Sequence, residues 1–322
     1  MMEQEYKYMV CTRCFTFNHA PYIVDAMNGF TMQETTFPVI TLIVDDASQD
    51  GEPDVIRQYL VENFQAPYST EETDDYYLIC ANHTTNPNCT FVVFLLKYNH
   101  YSIRKAKMPY LSKWLDNAKY ISLCEGDDYW IHPKKLQMQV EFLESHLGHT
   151  LCIHAYRKDI YDNNNVQELF VHKSVGNMEI VPNEDVLKGT GMFAATASMV
   201  YRSDAIRNYP EWARRAPVGD RPLQLVLFSR GHVGYLNDVM SVYRVGIPGS
   251  WTQRVNYSGN NKRKCLEQFI KMYQNFDEWT NGRYHSLIQK GIHDLKVGMI
   301  KDTLGKNLHK IHILIKSCIS KS

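Results

Sequence analysis

The run Val39-Ile40-Thr41-Leu42-Ile43-Val44 leads directly into Asp45-Asp46-Ala47-Ser48-Gln49-Asp50-Gly51. The first six residues are apolar or β-branched without a break, which is typical of a strand buried on both faces of a parallel sheet. The next seven are turn-forming residues that include three carboxylates. Taken alone, this acidic stretch is best interpreted as a turn before a helix.

Strands and helices alternate on both sides of this run. The predicted strands cover residues 8–15, 39–44, 91–96 and 120–124, and the predicted helices cover 20–33, 53–63, 108–117 and 133–145. This alternation predicts a mostly parallel sheet with right-handed crossovers. The polar piece 65–88 interrupts it and is predicted to be a long, mobile surface insertion. Short strands and one helix are expected after residue 151, and helices after residue 259.

The composition excludes several classes of protein. The chain has 322 residues, of which 44% are hydrophobic, and 35 basic residues balance 35 acidic ones. Such a chain packs as a globule, and the absence of a basic excess argues against a nucleic-acid partner. Residues 1–7 lack the features of a signal peptide, and no apolar run reaches membrane-spanning length, so we expect a cytoplasmic protein. The single pair Cys11 and Cys14 has no matching pair for a zinc site.

A second acidic cluster follows the predicted strand 120–124 and reads Glu125-Gly126-Asp127-Asp128. Three carboxylates within four residues repel one another unless a cation or hydrogen-bond donors lie among them. Ligands of open α/β sheets bind beyond the carboxyl ends of the strands, where this cluster falls. Mg²⁺ or Mn²⁺ prefers oxygen ligands and leaves positions open for phosphate. We favour a metal–phosphate site over the alternative, an acidic turn that caps the next helix.

The two clusters, together with Phe17-Asn18-His19 and with Tyr129-Trp130 and Pro133-Lys134-Lys135-Leu136, resemble the family 2 glycosyltransferases. These are inverting enzymes with the GT-A fold, often found in bacterial surface-polysaccharide clusters. The similarity runs from about Tyr8 to Trp251. It implies an α/β GT-A catalytic domain over residues 1–256, with a Rossmann-like nucleotide-sugar half (about 1–150) and an acceptor half (about 151–256). A C-terminal helical extension would cover 257–322.

The resemblance also implies roles for individual residues. Asp46 would accept a hydrogen bond from N3–H of uracil, and Asp127 or Asp128 would hold the metal ion. The residues expected to bind the nucleotide-sugar are Phe15, Phe17, Asn18, Asp45, Asp46, Arg104, Lys105, Lys107, Glu125, Gly126, Asp127 and Arg244. Relatives often carry a His shortly after the position of Arg244, where this chain has Gly246 and Ile247, so Arg244 is the best local cation for phosphate.

The segment Val218-Gly219-Asp220-Arg221-Pro222-Leu223 resembles the stretch that presents the catalytic base in this family. Asp220 would take the proton of the acceptor hydroxyl as that oxygen attacks the anomeric carbon. The alternative from the residues alone is a helix N-cap, and both roles are compatible.

The end of the chain is basic. Residues 285–322 contain seven lysines and two acids, with apolar residues at near-helical spacing. We favour a helix packed on the catalytic domain or on a second subunit. The alternative is a basic amphipathic helix that lies on an anionic membrane, which would place the protein peripherally on the inner face.

These observations predict an enzyme: an inverting glycosyltransferase of the hexosyl- or N-acetylhexosaminyl-transferring type. It would use a UDP-sugar with Mg²⁺ or Mn²⁺ and a glycan or lipid-linked acceptor in polysaccharide biosynthesis. One alternative is a metal-dependent nucleotidyltransferase, although the segment after the first strand has no glycine. The other alternative is a non-catalytic module that binds a sugar nucleotide.

Overall fold

The computed structural model describes residues 6–162, 165–173, 176–187, 193–248 and 259–297. Two compact units make up the chain. The first comprises Met1–Val181, Ala194–Asn208 and Val226–Ser250, and the second comprises Pro182–Phe193, Tyr209–Leu225 and Trp251–Ser322. The expected halves 1–150 and 151–256 and the extension 257–322 stay predictions.

Within the described ranges, eleven strands form one sheet in the first unit. They are β1 (Tyr8–Thr16), β2 (Val39–Asp45), β3 (Ser69–Glu72), β4 (Tyr76–Asn82), β5 (Cys89–Leu96), β6 (Ala118–Leu123), β7 (Tyr129–Trp130), β8 (His149–Asp162), β9 (Asn165–Val171), β10 (Val200–Arg202) and β11 (His232–Val245). The helices are α1 (Ile23–Thr31), α2 (Glu52–Asn63), α3 (Met108–Leu115), α4 (Lys135–Ser145), α5 (Asn183–Leu187), α6 (Glu211–Arg214), α7 (Asp220–Arg230), α8 (Gly259–Trp279) and α9 (285–297).

The sheet has the order β3-β4-β5-β2-β1-β6-β10-β8-β11-β7, and β9 pairs with β8. Strands β5, β2, β1 and β6 are mutually parallel, as are β8 and β11. All seven residues of β2 are buried, as expected of a strand covered by helices on both faces. The predicted α/β architecture with a mostly parallel central sheet is therefore confirmed.

The segment 65–88, predicted to be a mobile surface insertion, is instead ordered as a hairpin on the sheet. Strand β4 pairs antiparallel with β5, with Leu78 opposite Phe94, and β3 pairs with β4. Leu78 and Ile79 are buried against the sheet, while every residue of β3 is exposed. The few apolar residues of β4 lie between acidic and polar runs. The composition of the whole segment is therefore polar, and it indicated a loop.

Helix α1 packs unusually close to the short strand β7. Trp130 is buried, its Nε1–H donates to the carbonyl of Ala197 at 3.0 Å, and its ring meets Phe30 edge-on at 4.9 Å. A Cβ atom added to Gly29 would lie 2.8 Å from the backbone N of Trp130 and 2.9 Å from its carbonyl oxygen. The helix can therefore approach this strand only with glycine at position 29.

The described part of the second unit is helical. The buried guanidinium of Arg221, at the start of α7, donates to Tyr273 Oη at 2.9 Å and to the carbonyl of Val186 at 2.6 Å. In α9, Ile288, Ile292 and Leu295 are buried and two lysines are exposed, as the packing interpretation of this helix expects.

The rest of the predicted basic stripe, from residue 298 onward, lies outside the described residues. Among the helices that the structure describes, none has both the length and the apolar character needed to cross a bilayer.

We expect Gly29→Ala to destabilise the protein by about 2 kcal/mol. The new methyl group meets backbone atoms that cannot give way, at a cost of up to about 3 kcal/mol, and the better helix propensity of Ala recovers about 1 kcal/mol. Urea unfolding of the variant measures this. Gly176→Ala is the control, because a Cβ there meets nothing within 4 Å. Equal stabilities of the two variants would contradict the close approach of α1 to β7.

Candidate functional site

The two acidic clusters lie on either side of the end of β1. Strand β1 runs between β2 and β6 and parallel to both, with Thr16 opposite Asp45 and Arg13 opposite Leu123. The loops that follow β2 and β6 therefore leave the sheet at the same edge. This geometry brings together acids that are about 80 positions apart in the chain.

Asp45 is fully buried and only partly satisfied. Its Oδ1 accepts a hydrogen bond from the backbone N–H of Ser48 at 3.2 Å. Its Oδ2 is buried and accepts no hydrogen bond from any residue that the structure describes. Burial raises the pKa of the Asp45 carboxyl from 3.8 to about 6, with Ser48 acting against that shift. This oxygen therefore has no hydrogen bond from the described residues to offset its loss of contact with water.

Asp46, the second acid of the first cluster, is held by the segment that follows β5. Its Oδ1 accepts from the backbone N–H of His100 at 2.8 Å. Its Oδ2 accepts from the backbone N–H of Tyr101 at 3.1 Å and from Lys107 Nζ at 2.6 Å. The side chain is thus fixed in orientation, and a carboxylate with four acceptor positions retains one for a further donor.

Glu52, a residue that the sequence analysis missed, organises the loops after β1 and β2. Its buried carboxylate accepts from Thr16 Oγ1, from the backbone N–H of His19 at 2.8 Å and from Ser48 Oγ at 2.8 Å. At the first position of α2, after Gly51, it resembles an ordinary exposed acid at a helix N-terminus. Nothing in its local sequence distinguishes the two situations, because two of its three partners, Thr16 and His19, come from the end of β1 and the loop after it.

The loop after β6 lies directly against β1. The backbone N–H of Gly126 donates to the carbonyl of Phe15 at 3.0 Å. A Cβ at this position would lie 2.1 Å from Thr16 Oγ1, so only glycine fits. This contact sets the position of the neighbouring Asp127, whose Oδ2 lies 3.8 Å from His19 Nε2.

Asp128 and Arg244 form a buried pair at the far side of the same loop. Asp128 Oδ1 accepts from the backbone N–H of Arg244 at 2.9 Å. Burial, with Asp127 next in importance, raises the pKa of the Asp128 carboxyl well above its usual range. The Arg244 guanidinium donates to the carbonyl of Asp127 at 2.9 Å and to Asp25, and lies 4.3 Å from the ring centre of Tyr129. Arg244 therefore braces the loop that carries the acids.

The remaining predicted residues of the first unit lie around these groups. The Phe15 ring is flanked by the Arg13 guanidinium at 4.8 Å and by Lys107 Nζ at 5.3 Å. Phe17 is 40% exposed, and Asn18 links the two loops by donating from its N–H to Ser48 Oγ at 2.8 Å.

Arg104 and Lys105, like Lys107, lie on the segment after β5. Arg104 is exposed and adopts a left-handed backbone conformation, with φ of 57°. Lys105 Nζ donates to Asp75 Oδ1 at 2.7 Å. This ammonium group is therefore engaged by the β3–β4 hairpin.

Asp220 belongs to the second unit and is the first residue of α7. Its Oδ1 accepts from the backbone N–H of Arg221 at 2.8 Å. Burial raises the pKa of the Asp220 carboxyl, while this hydrogen bond acts against that shift. A carboxylate with a raised pKa is a stronger base than an ordinary aspartate.

The residues after β6 suit a divalent cation by their chemistry. Within the described part of the chain, no group of three or more His, Cys, Asp or Glu side chains is arranged to hold a metal ion. Mg²⁺ and Mn²⁺ in phosphate-binding sites use one or two carboxylates and take further oxygens from phosphate and water. Glu125 and Asp127, with Asp128 behind them, offer donors of this type, so the residues present fit such an ion.

Comparison with known proteins gives matches in sequence and in structure. No protein-family model matches the chain. The uncharacterized proteins Rv1520 of Mycobacterium tuberculosis and Mb1547 of Mycobacterium bovis are each 30% identical over 240 residues, which is 73% of this chain and 58% of the relative. The chain thus spans less than two thirds of the length of these curated relatives.

Two solved structures share the fold. TarS 1–349 of S. aureus, in complex with UDP-GlcNAc, has a TM-score of 0.51 at 14% identity and covers 82% of this chain and 65% of its own. The mannosyltransferase PcManGT of Pyrobaculum calidifontis, in complex with GDP-Man and Mn²⁺, has a TM-score of 0.51 at 12% identity, with 93% and 76% covered. These similarities confirm the predicted GT-A-type architecture.

We expect Asp45→Asn to remove a pH-dependent loss of stability. The folded pKa of about 6 lies above the ordinary value of 3.8. The wild type is therefore penalised as the pH rises through this interval, by about 3 kcal/mol once the carboxyl is ionised. Asn keeps the acceptor for Ser48 N–H and carries no charge. Urea unfolding at pH 4 and pH 7 should show wild type losing about 3 kcal/mol relative to the variant, and parallel pH profiles would contradict the burial of the charge.

Proposed function

We propose that this protein is an inverting glycosyltransferase that transfers a sugar from a UDP-sugar to the hydroxyl of a glycan or lipid-linked glycan. The observation that carries this proposal is the convergence of Asp45–Asp46 and Glu125–Asp128 on the end of β1. One acidic cluster is suited to hydrogen-bond donors of a nucleobase, and the other is suited to a cation that meets a diphosphate. The solved structures with the same fold hold UDP-GlcNAc in one case and GDP-Man with Mn²⁺ in the other.

In the proposed binding mode, Asp46 accepts from N3–H of uracil. Its carboxylate is already oriented by His100 N–H, Tyr101 N–H and Lys107 Nζ. Phe15 and Phe17 would lie against the base, and Asp45 would belong to the same nucleotide site. Asp127, with Glu125 or Asp128, would hold Mg²⁺ or Mn²⁺, which when bound neutralises the charge that develops on the leaving diphosphate.

The transfer step would proceed with inversion. The acceptor hydroxyl oxygen attacks the anomeric carbon, the bond from that carbon to the diphosphate oxygen breaks, and the hydroxyl proton passes to the carboxylate of Asp220. Asp220 must be ionised for this role, and its pKa is raised by burial. The activity should therefore fall on acidification at a pH above the ordinary aspartate range.

The resemblance of the sequence to surface-polysaccharide enzymes further suggests polysaccharide biosynthesis on the cytoplasmic side of a membrane. The nucleotide-sugar half would be residues 1–150, and the acceptor half 151–256. Contact of the basic C-terminal residues with an anionic membrane is the remaining alternative to packing.

We expect Asp127→Ala to remove the metal dependence of UDP binding. Calorimetric titration of the wild type should show UDP affinity at least about tenfold higher with Mn²⁺ than with EDTA, and the variant should show one affinity in both conditions. Asp54→Ala removes an exposed acid of α2 and serves as the matched control. If the variant keeps the full effect of Mn²⁺, Asp127 does not hold the cation.

We expect Asp220→Asn to lower kcat by about 10²- to 10⁴-fold, because the amide cannot accept the proton. UDP affinity should stay within a factor of two of the wild type. Asp204→Asn changes an exposed aspartate and is the control. The test combines sugar transfer with titration of UDP, and an equal loss of UDP binding and transfer would refute the role as base. Binding of UDP-sugar by the wild type without transfer or hydrolysis would favour a non-catalytic module.

A further inference from the structure

The β3–β4 hairpin ends in a tight turn at residues 73–75, beside the carboxyl end of β5. Tyr76 pairs with Leu96, so the turn reaches the edge of the sheet where the acidic clusters lie. Thr73 Oγ1 accepts from the backbone N–H groups of Asp75 and Tyr76 at 3.2 and 3.1 Å. The carbonyl of Asp75 accepts from the N–H of Lys97 at 2.9 Å. Hydrogen bonds within the turn and from Lys97 thus fix the backbone of the turn, and with it the position of the Asp75 side chain.

The Asp75 carboxylate collects three donors from the segment 98–110. Its Oδ1 accepts from Lys105 Nζ at 2.7 Å and from the Tyr98 hydroxyl, and its Oδ2 accepts from the Tyr110 hydroxyl at 2.7 Å. These hydrogen bonds, that of Lys105 foremost, hold the pKa of the Asp75 carboxyl well below its usual range. The carboxylate is therefore ionised at neutral pH, and the hairpin acts as an anchor for this segment.

The segment 98–107 also contacts Asp46. It supplies the backbone N–H groups of His100 and Tyr101 and the ammonium group of Lys107, which are the three donors to Asp46 described above. His100 joins the two sides. Its Nε2 lies 3.1 Å from the Tyr110 hydroxyl, and its ring stacks on Tyr98 at 4.6 Å. A continuous set of hydrogen bonds thus runs from the hairpin turn to Asp46.

We propose that Asp75 is a positioning residue for the nucleotide site. It acts through the segment 98–107, which it holds in place so that two backbone N–H groups and Lys107 keep the Asp46 carboxylate oriented toward the base. This role rests on the proposed function. Asp75 sets the affinity for the nucleoside part of the donor more than the rate of transfer, because its hydrogen bonds lead to Asp46 and to none of Asp127, Asp128 and Asp220.

The test compares Asp75→Asn and Tyr110→Phe with Glu72→Gln. Glu72 lies on the same hairpin, and its exposed carboxylate pairs with Lys97 at 2.8 Å and not with the segment 98–107, so its variant controls for charge loss and hairpin stability. Tyr110→Phe removes only the hydroxyl that joins Asp75 to His100 and keeps the ring, which guards against a simple failure of Asp75→Asn to fold. The measurements are the Kd of UDP by calorimetry, KM and kcat with a UDP-sugar, and hydrogen exchange of the His100 and Tyr101 amides.

We expect both test variants to raise the Kd of UDP and the KM of the UDP-sugar by about tenfold, with a smaller change in kcat. Exchange of the His100 and Tyr101 amides should accelerate in the test variants and stay unchanged in Glu72→Gln. A conservative Asp75→Glu variant should recover part of the affinity, since it restores the charge that Lys105 meets.

Three outcomes would overturn this role, and they show whether the proposed function fails with it. If the wild type binds UDP and both test variants bind it equally well, Asp75 has no positioning role, while the proposed function stands. If kcat falls as much as KM rises, the role in nucleoside binding is likewise overturned. If the wild type binds neither a nucleotide-sugar nor a nucleotide, the proposed function is wrong, and the role of Asp75 in nucleotide binding is wrong as well.

Discussion

Negative charge is concentrated beyond the end of β1, and most of the surrounding structure is arranged to hold it. Several carboxyl groups lie there, among them those of Asp45, Asp46, Glu52, Asp127 and Asp128. Like charges in a partly buried space repel strongly because little water screens them. Each group must therefore accept hydrogen bonds, bind a proton or bind a cation. Which of these applies differs from one carboxyl group to the next.

Three of the five acids are held by the protein itself. Glu52 is buried and accepts three hydrogen bonds, which join the loops after β1 and β2. Asp46 is oriented by the segment after β5, and Asp128 is buried against the backbone of Arg244, with a pKa that burial raises well above its usual range. Within the described part of the chain, Asp45 keeps one unpaired oxygen, and Asp127 pairs with the ring nitrogen of His19 at 3.8 Å. In the proposed function, Asp127 would thus meet the cation, and Asp46, already oriented by its donors, would meet the base.

Much of the fold was predictable because its signals are local. The continuous apolar run of β2 predicts a strand buried on both faces, and the alternation with helices predicts parallel neighbours. The hairpin β3–β4 was not predicted because Leu78 and Ile79 lie between acidic and polar runs. Their local sequence also does not indicate that they pair with the edge of β5. The residues of the candidate site likewise divide into those with a local sequence signal and those without one. The acids at the strand ends stand out by their position, whereas Glu52 and Asp75 look like ordinary surface acids.

The amino-acid sequence by itself determined which strands are buried, which acids follow them and that the sheet is mostly parallel, since these depend on hydrophobic pattern and on turn residues. Only the tertiary structure decided which donors meet those acids. Gly126 is required because the Thr16 hydroxyl of β1 lies 2.1 Å from the place of a Cβ atom, and Arg244 braces the loop after β6 from a strand more than a hundred positions later. Contacts of this kind depend on distances between segments far apart in the chain, and no local pattern encodes those distances.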